Sequence, residues 1–577
     1  MIGTGECRWT RCSCRAPYDA AVPEIGPHTR AENLDRLERE TFDVCIVGGG
    51  ITGAGVALDA ASRGLSVALV ERNDFASGTS SKSSKMVHGG LRYLANYDFG
   101  LTYEASRERD LLRRLAPQLV RPLKFLFPAY KKGTATRFAT IGLTMYDAVA
   151  GGRGFERHHR AGPDVIRELA PSLDPGRAVA AWTYYDASTD DARLVFEVLR
   201  TAHSFGATIA NHTSVEGFDA SNGTLSAAHV RDVLTERQIT LKARCFVNAT
   251  GVWASRVGGL EPECVLPAMR PAKGIHLVLP WEKVPVRAGI VVPSVARDGR
   301  SMFAVPWGPA TVLGTTDTEY SGSLDAPSVD DNDVKYMLSA VNWSLGLDVA
   351  PGDVISAWAG LRPLLAGKGG PEGTTADLSR KHYLSASGAG LVTITGGKLT
   401  TYRRMAADTV DLVCERLGVK RRSRTRRLPI GLTRPLEGLQ QETRVLAERL
   451  GLDAKTAAHL VEQHGDRAPA VLELAIDNPS LGEPLVPRLP WIAAEAVWAV
   501  RREMAMTVSD VVERRTRLSL ADAAAGLESA APTLAARELG LDASEQAAQT
   551  ATVSSAIAAE RGVVAAPPTS VRDPATG

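Results

Sequence analysis

The stretch from Phe42 to Gly53 constrains the fold of this chain more than any other. An apolar run ending at Val47 leads directly into Gly48-Gly-Gly-Ile-Thr-Gly53. This is the Gly-x-Gly-x-x-Gly spacing of a strand that turns into a helix around a dinucleotide pyrophosphate. Gly48 permits the turn, Gly50 lets the backbone approach the phosphates, and Gly53 lets the helix pack against the strand.

The start of the predicted helix supplies an anion site without a cationic side chain. Its first backbone N–H groups, at Ile51 and Thr52, have no acceptor within the helix and lie at the positive end of the helix dipole. A second apolar run, Val67–Val70, ends at Glu71, 18 residues after the last glycine of the motif. A carboxylate there suits an adenosine ribose, so we expect Glu71 and the adjacent Arg72 to contact the cofactor.

The residues that follow bear on which dinucleotide binds. The run Gly78–Tyr93 is rich in small hydroxyl residues and carries two lysines. It resembles the segment that passes beneath the flavin in flavoproteins of the D-amino-acid oxidase type, although read alone it is also compatible with an ordinary polar loop. The resemblance implies FAD rather than NAD, with cofactor contacts from Thr79, Ser80, Ser81, Ser84, Lys85, His88 and Gly89.

Two later segments favour FAD. Cys245–Gly251 is a short apolar run ending in Ala-Thr-Gly, which resembles the second dinucleotide-side motif of FAD oxidoreductases. Leu391–Arg403 repeats the order of strand, glycine pair and helix start, which suits a return of the chain to the flavin ring. The cofactor contacts implied by the resemblance are Val215, Thr250, Gly251, Trp253, Gly397, Lys398, Leu399 and Thr400.

Two longer patterns extend these motifs. They are Val47-Gly-Gly-Gly-x-x-Gly53-Ala-Gly-x-Ala57-x-Asp59-x-x-x-Arg63-Gly64 and Gly396-Gly-Lys398-x-x-Thr401-Tyr-Arg403-x-x-Ala406. Both resemble signatures of the FAD-dependent glycerol-3-phosphate dehydrogenases, and over about residues 40–520 further blocks fit in the family's order, at Asp190–Leu194, Lys273–His276, Gly314–Asp317 and Trp358–Leu364. The resemblance implies oxidation of sn-glycerol 3-phosphate to dihydroxyacetone phosphate by hydride transfer to FAD, with the electrons passed to a membrane quinone.

The positions of the motifs imply an α/β fold with a discontinuous, Rossmann-like FAD-binding domain, an inserted mixed-sheet substrate (cap) domain and a C-terminal helical domain. We expect the FAD-binding domain at 41–115, 185–265 and 385–415, and the cap at 116–184 and 266–384. A basic linker at 416–430 and the helical domain at 431–562 are expected to follow. The flanking residues 1–40 and 563–577 are expected to be a disordered extension and a disordered tail.

The division into a cap and a C-terminal helical domain rests on the following segments. Alternating or continuous apolar residues predict cap strands at Ile275–Leu279, Gly289–Pro293 and Ala310–Gly314. Helical spacing predicts C-terminal helices at Glu442–Leu450, Lys455–His464 and Ala493–Thr507.

A phosphorylated substrate requires several donors, and arginine suits a phosphate because its planar fork bonds two oxygens at once. The resemblance implies that Arg92, Tyr93, Arg362, Arg380 and Lys398 bind the substrate, and that Arg362 and Lys398 also act in catalysis. For any single arginine, a structural ion pair is an equally good interpretation.

Oxidation of a secondary alcohol also requires a base for the hydroxyl proton, and histidine titrates in the right range. Of eleven histidines, His88 and His276 lie inside the blocks that resemble the family. Either could instead be a hydrogen-bonded core residue, and the sequence does not rank them.

Composition excludes several other classes. The chain has 67 basic and 65 acidic side chains, a net charge of +2, and no basic arm mixed with aromatics, so we expect no nucleic-acid partner. Seven cysteines without a Cys-x-x-Cys pair indicate a reduced, cytosolic protein, and the early cluster Cys7, Cys12, Cys14 lacks a second ligand pair, so no metal site is expected. We also predict no signal peptide and no membrane span.

A protein that reduces a membrane quinone must then lie at the inner face of the cell membrane as a peripheral protein. Two segments could contact an anionic surface: Arg121–Lys132, continued by Arg137 and Phe138, which mixes aromatics with cations, and Lys420–Arg427, in which six of eight residues are basic. A cap strand and a solvated linker are equally good interpretations of the two.

Three alternatives remain at this stage. An oxidase that passes electrons from FAD to oxygen and forms peroxide would carry the same motifs. A flavin- or lipid-binding protein without turnover is a remote possibility, and an NAD-linked dehydrogenase would leave the later flavin motifs without a purpose. The acceptor, covalent or non-covalent flavin attachment and the oligomeric state, including a homodimer, are left open.

Overall fold

The computed structural model describes residues 24–91, 98–131, 134–150, 156–295, 300–365 and 382–564. Its strands are, in chain order, β1 (Thr41–Phe42), β2 (Val44–Val47), β3 (Val67–Val70), β4 (Met86–Val87), β5 (Arg121–Ala129), β6 (His159–Arg160), β7 (Ala180–Ser188), β8 (Thr208–Ala210), β9 (Thr213–Ser221), β10 (Thr224–Asp232), β11 (Gln238–Ala243), β12 (Phe246–Asn248), β13 (Ala272–Pro280), β14 (Gly289–Pro293), β15 (Ser301–Trp307), β16 (Ala310–Gly314), β17 (Thr318–Glu319), β18 (Ser356–Arg362), β19 (His382–Ala386) and β20 (Leu391–Gly396).

The helices of the described residues are α1 (Pro27–Arg39), α2 (Ile51–Ser62), α3 (Phe99–Leu115), α4 (Thr134–Ala150), α5 (Pro163–Leu169), α6 (Asp191–Ser204), α7 (Ala254–Gly258), α8 (Asp331–Leu345), α9 (Tyr402–Leu417), α10 (Leu436–Arg449), α11 (Ala454–His464), α12 (Ala468–Asp477), α13 (Ala493–Arg502), α14 (Leu518–Ala521), α15 (Ala523–Glu528), α16 (Ala531–Leu539) and α17 (Ala543–Arg561). A π-helical turn, Asp510–Arg515, precedes α14. Within this part of the chain, no helix has both the length and the apolar composition needed to cross a membrane.

A six-stranded sheet in the order β19-β20-β12-β2-β3-β8 forms the dinucleotide-binding part. All its strands are parallel except β19. Every residue of β2 and β3 is buried, which explains why both are continuous apolar runs in the sequence. Helix α2 packs between α6 and α9 against this sheet. The Rossmann-like fold predicted from the sequence is confirmed.

Helix α1 corrects the expectation that residues 1–40 are a disordered extension. Residues 27–39 form three and a half turns, and Leu34 and Leu37 are buried against the neighbouring sheet. Arg30 is also buried and forms an ion pair with Asp232, with its Nη2 atom 2.6 Å from Oδ1. The helix was missed because its polar residues outnumber this narrow apolar stripe.

The mixed sheet predicted for the cap is present. Its ten strands follow the order β17-β13-β16-β15-β14-β5-β7-β4, with β18 paired to β13 and β6 to β7. The predicted strands at Gly289–Pro293 and Ala310–Gly314 have the bounds of β14 and β16. A smaller sheet, β1-β11-β10-β9, lies beside the six-stranded one.

Strand β5 is formed by one of the two segments that the sequence offered as membrane contacts. The segment Arg121–Ala129 pairs with β7 along its whole length, and Phe125 is fully buried in a stacked contact with Tyr184 at 5.1 Å between ring centroids. Phe125 therefore cannot act as an interfacial anchor, and the segment forms a cap strand, as in the alternative interpretation. Arg137 and Phe138 have side chains outside the described set.

The C-terminal part is helical, as expected, but α13 ends at Arg502 rather than continuing to Thr507. The chain turns because Met504 has φ +51° and Glu503 is directed inward. Glu503 Oε1 accepts hydrogen bonds from Arg193 Nη1 (2.6 Å) and Trp498 Nε1 (3.2 Å). Burial raises the pKa of Glu503, but Arg193, His464 and Arg200 outweigh burial and hold this pKa well below its usual range.

Further buried charges join the C-terminal part to the dinucleotide-binding sheet. Asp74, which follows β3, pairs with Arg515 at 2.7 Å and with Arg514 at 2.6 Å. The basic segment 416–430 also packs on α2, since Arg421 Nη1 donates to the Arg63 carbonyl at 2.6 Å. All six basic residues of Lys420–Arg427 are nevertheless exposed.

Candidate active site

A cavity of about 890 Å³ lies where the carboxyl ends of β2, β12 and β20 face strands β13 and β18 of the ten-stranded sheet. This is the edge at which open α/β sheets bind ligands. Most of the residues predicted from the sequence line it: Gly48, Gly50, Ile51, Thr52, Glu71, Arg72, Thr79, Ser80, Ser84, His88, Val215, Thr250, Gly251, Trp253, His276, Arg362, Gly397, Lys398, Leu399 and Thr400.

The glycine motif forms one end of the cavity. Gly48 has φ +111°, and a Cβ there would lie 2.8 Å from the Ala249 carbonyl oxygen. A Cβ at Gly50 would lie 3.1 Å from Ser80 Oγ, and that hydroxyl accepts a hydrogen bond from the Ile51 N–H at 3.0 Å. Gly53 is not in the wall; a Cβ there would clash with the Gly48 carbonyl, so this glycine supports the turn from behind.

Glu71 closes the same end from β3. Its Oε2 accepts the Gly49 N–H at 2.7 Å and its Oε1 accepts the Asn73 N–H at 2.9 Å. Burial raises the pKa of this carboxyl, and the two backbone N–H groups oppose the shift. Each carboxylate oxygen keeps a second lone pair for a ribose hydroxyl.

A cluster that we call the Asp325 clasp joins the two sheets at the rim. Asp325 Oδ1 accepts from Arg72 Nη2 (2.6 Å) and Trp253 Nε1 (2.8 Å), and its Oδ2 accepts from Arg256 Nη1 (3.3 Å). A Cβ at Gly78 would stand 2.9 Å from the Trp253 ring, so the glycine admits the indole to the wall. The clasp thus fixes three cavity residues from a loop of the other sheet.

The second glycine loop brings the chain back to the cavity, as the resemblance implies. Gly396 and Gly397 have φ of +77° and +70°, a conformation that favours glycine. The loop is tied to the His88 segment, because Thr400 Oγ1 accepts the His88 N–H at 3.1 Å. Lys398 is thereby placed in the same cavity as His88.

Arg362 stands at the substrate end on β18. Nη1 donates to Asp317 Oδ1 at 3.1 Å, and Nη2 donates to Thr315 Oγ1 at 3.2 Å and to the Thr316 carbonyl at 3.1 Å. The side chain keeps 28% of its surface exposed. The turn at residues 315–317 therefore orients this guanidinium.

His276 lies on β13, on the same sheet face as Arg362. Its Nε2 is 2.9 Å from Ser84 Oγ, and its ring stacks on Trp358 with 5.0 Å between centroids. Burial lowers the pKa of His276 well below its usual value, and the cations Lys85 and Arg362 lower it further. The imidazole is therefore neutral at physiological pH.

Besides Gly53, three predicted cofactor residues do not reach the cavity wall. Ser81 is buried, and Gly89 packs with its N–H 2.9 Å from Tyr146 Oη and 3.0 Å from Asp186 Oδ1. Lys85 points into the protein, where Nζ lies 3.1 Å from Asp191 Oδ1 and 4.7 Å from the centre of the Trp358 ring. Burial lowers the pKa of Lys85 to about 8. The carboxylate that holds Lys85 in the interior is Asp191, which is distant in the sequence and therefore could not be identified as its partner from the neighbouring residues.

The predicted substrate residues Arg92, Tyr93 and Arg380 lie outside the described residues. Conversely, Lys82, Gly274 and Gly360 line the cavity without having been assigned. All three stand within or beside motifs recognised in the sequence. Nothing about their residue type or spacing, however, indicated that they would line the site. Asp325 carried no local signal at all.

These features fit FAD. The backbone space kept open at Gly48 and Gly50 matches a pyrophosphate, and Glu71 beside Val215 and Trp253 matches an adenosine. At the opposite end, His276, Arg362 and Lys398 line the same cavity and would stand on the flavin side of the bound cofactor.

Comparison with known proteins agrees with this interpretation. The sequence model of the FAD-dependent oxidoreductases matches residues 43–403. A second, described as the C-terminal domain of alpha-glycerophosphate oxidase, matches residues 423–546.

Relatives with assigned activities cover most of the chain. Glycerol-3-phosphate dehydrogenase 2 of Mycobacterium tuberculosis H37Rv is 38% identical over 502 residues, which cover 86% of this chain and 84% of the relative. The mitochondrial glycerol-3-phosphate dehydrogenase of Rattus norvegicus is 36% identical over 89% of this chain and 72% of its own. The crystal structure of glycerol-3-phosphate dehydrogenase from Bacillus halodurans with FAD superimposes with a TM-score of 0.76, at 28% identity over 93% of this chain and 98% of that one. The chain therefore belongs to the FAD-dependent glycerol-3-phosphate dehydrogenase family.

Proposed function

We propose that the protein oxidises sn-glycerol 3-phosphate to dihydroxyacetone phosphate and passes the electrons to a membrane quinone. The observation that carries the proposal is the placement of Arg362 and His276 on one face of the β13 and β18 pair, inside the cavity that fits FAD. An anion-binding fork and a neutral base side by side suit a phosphorylated alcohol.

Arg362 is the proposed phosphate ligand. Its bonds to Thr315, Thr316 and Asp317 fix the plane of the fork before substrate arrives. Preorganisation of this kind lowers the entropy cost of binding. Lys398 adds a second cation in the same volume and is placed to stabilise negative charge that develops during the reaction.

His276 is the proposed base, and His88 is the second candidate. When bound beside these residues, FAD would supply the oxidising power for hydride removal from C2 of the substrate. His276 takes the hydroxyl proton at Nε2, the ring nitrogen that faces Ser84 Oγ. Its lowered pKa keeps the ring unprotonated and hence ready to accept a proton. The dianionic phosphate on Arg362 would offset the nearby positive charge and make the ring more basic.

The proposal also covers the electron acceptor and the location of the protein in the cell. A quinone in the membrane requires contact with the headgroup layer, and the exposed basic run Lys420–Arg427 supports binding to an anionic surface at the cytoplasmic face. Association as a homodimer is compatible with this arrangement. The competing function is that of an oxidase that forms peroxide. The observation that favours it is the match of residues 423–546 to an oxidase C-terminal domain.

Anaerobic reduction of the purified holoenzyme tests the proposal. We expect glycerol 3-phosphate to bleach the visible flavin absorption, and glycerol or a D-amino acid to leave it unchanged. Reoxidation by a quinone analogue in preference to oxygen supports the dehydrogenase. Stoichiometric peroxide in the presence of the quinone analogue would establish the oxidase instead, and no bleaching by glycerol 3-phosphate would reject the substrate assignment.

A further inference from the structure

The last turn of α17 reaches the wall of the cavity. Glu560 Oε1 accepts the Ala359 N–H of β18 at 3.0 Å, and its other oxygen forms an ion pair with Lys82 Nζ. Lys82 lines the cavity, and both side chains are mostly buried, with 15% and 17% of their surfaces exposed. A residue near the end of the chain thus contacts two segments of the cavity wall.

The end of this helix is held by contacts that do not involve Lys82. The Val329 N–H donates to the Glu560 carbonyl at 2.9 Å, and Arg561 Nη2 donates to the Val354 carbonyl at 3.4 Å. Gly562 has φ +53°, and a Cβ there would clash with the Val329 carbonyl. These contacts hold the end of the helix, and with it Glu560, independently of Lys82.

The two segments that Glu560 joins carry the chemistry of the site. The first includes Ser80, which accepts the first N–H of α2, and Ser84, which contacts His276. The second is β18 with Arg362. They touch directly, because Thr79 Oγ1 donates to the Leu361 carbonyl at 2.6 Å and a Cβ at Gly360 would lie 2.5 Å from the Lys82 carbonyl.

We propose that Glu560 is a positioning residue of the flavin site, which holds Lys82 and strand β18 in register so that the FAD-binding segment and Arg362 keep their separation. Glu560 lies beyond both sequence-model matches, which end at residues 403 and 546. The C-terminal helix therefore supports the cavity wall from outside, through Lys82 and β18. The part of this inference that concerns substrate rests on the proposed function; the part that concerns FAD does not.

The experiment compares full-length holoenzymes. Glu560→Gln keeps an acceptor for the Ala359 N–H but removes the charge, Lys82→Met removes the other partner, and Lys82→Arg keeps the pair. Glu528→Gln, an exposed change at the end of α15, is the matched control. We measure the rate of FAD release after dilution, together with KM and kcat for glycerol 3-phosphate with a dye acceptor.

We expect Glu560→Gln and Lys82→Met each to speed FAD release and to raise KM roughly tenfold, as for a lost charge-assisted hydrogen bond, with a smaller change in kcat. The double variant should be no worse than either single variant, since both remove one interaction. Lys82→Arg, which keeps the charge, should lose much less than Lys82→Met, and Glu528→Gln should behave as wild type. A general loss of stability would instead lower the fraction of active enzyme without changing KM.

Wild-type FAD release and KM in both Glu560→Gln and Lys82→Met would overturn the inference. Should Glu560→Gln fail to accumulate, Lys82→Met alone gives the same test, because it leaves the helix end and its backbone contacts intact. If wild type itself is not reduced by glycerol 3-phosphate, the proposed function fails while FAD release still decides the role of Glu560.

Discussion

The guanidinium of Arg362 lies directly over Gly274, so that a Cβ at residue 274 would stand 2.6 Å from Nη2. The two residues are on adjacent strands, with Gly274 paired to Gly360 two residues before Arg362. Thr315 Oγ1 lies against the same glycine, 2.5 Å from the hypothetical Cβ. Both the Arg362 guanidinium and the turn that orients it therefore pack directly against Gly274, where a side chain would displace them.

Gly274→Ala should displace the Arg362 fork while leaving the charge in the cavity. We expect KM for glycerol 3-phosphate to rise at least about tenfold, ~1.4 kcal/mol, as when a bidentate contact is lost, and to approach the value of Arg362→Ala. Gly438→Ala in α10, where a Cβ meets nothing within 4 Å, is the control. Unchanged KM in the Gly274 variant would show that the phosphate does not bind this fork.

Gly50→Val should yield protein without FAD. The Cβ alone would come 3.1 Å from Ser80 Oγ, and its two methyl groups would fill the space where the backbone must approach the pyrophosphate. Gly50→Ala should weaken FAD binding less. The flavin content of purified protein measures both effects, and stoichiometric FAD in the valine variant would refute the cofactor placement.

His276 should make the protein less stable in acid. Its pKa in the folded state lies well below the ordinary value of 6.5, so as pH falls the unfolded state takes up the proton first. The free energy of unfolding then falls below about pH 6.5, by up to about 1.4 kcal/mol per pH unit from this residue. His276→Asn has no imidazole to protonate and so lacks this pH-dependent loss of stability. The urea-unfolding midpoints of the wild type and the variant should therefore converge as pH falls. A constant difference from pH 7 to 5 would contradict the buried neutral imidazole.

The Asp325 clasp should slow FAD release. Asp325→Ala frees Arg72, Trp253 and Arg256 at the rim, and because Asp325 and Arg72 are 47% and 35% exposed, we expect only about a threefold faster release, reduced further by salt. Asp348→Ala, at another exposed aspartate, is the control. Equal release rates in the Asp325 and Asp348 variants would leave the clasp without a role in cofactor retention.

The basic run should bind anionic vesicles. Arg422, Arg426 and Arg427 are exposed, whereas Arg421 also holds the Arg63 carbonyl, so the first three should be changed to Gln. At about 1 kcal/mol per residue, binding should weaken roughly a hundredfold, with dye-linked activity retained. Arg444, Arg449 and Arg537 changed to Gln match the loss of charge elsewhere. Failure of wild type to co-sediment at low salt would reject the peripheral-membrane proposal.

Local spacing carried much of the fold and part of the site. Gly48, Gly53 and the strand Val67–Val70 were predicted correctly because a turn, a close helix and a buried strand each impose a residue type at a fixed offset. His276 and Arg362, which both line the cavity, could be proposed from the sequence because they stand in recognisable blocks. In each of these cases the physical constraint acts within a few residues.

The contacts that the sequence did not predict are ion pairs between residues far apart in the chain. Lys85 was assigned to the cofactor, but Asp191, 106 positions away, holds it in the interior. Glu560 and Lys82 are 478 positions apart, and Asp325 and Arg72 are 253 apart. Nothing in the neighbourhood of these residues indicates which partner folding will bring to them.

The ion pair between Arg193 and Glu503 has a consequence for how such proteins can be recombined. A chimaera that joins this helical half to a partner without an arginine at the position of Arg193 would still bury the Glu503 carboxylate beside Trp498, but without the α6 guanidinium that faces it. Breaking a buried pair in this way typically costs about 3–5 kcal/mol, a large share of the stability of any domain. The helical half is thus not a portable module, and a chimaera that exchanges it must carry α6 as well.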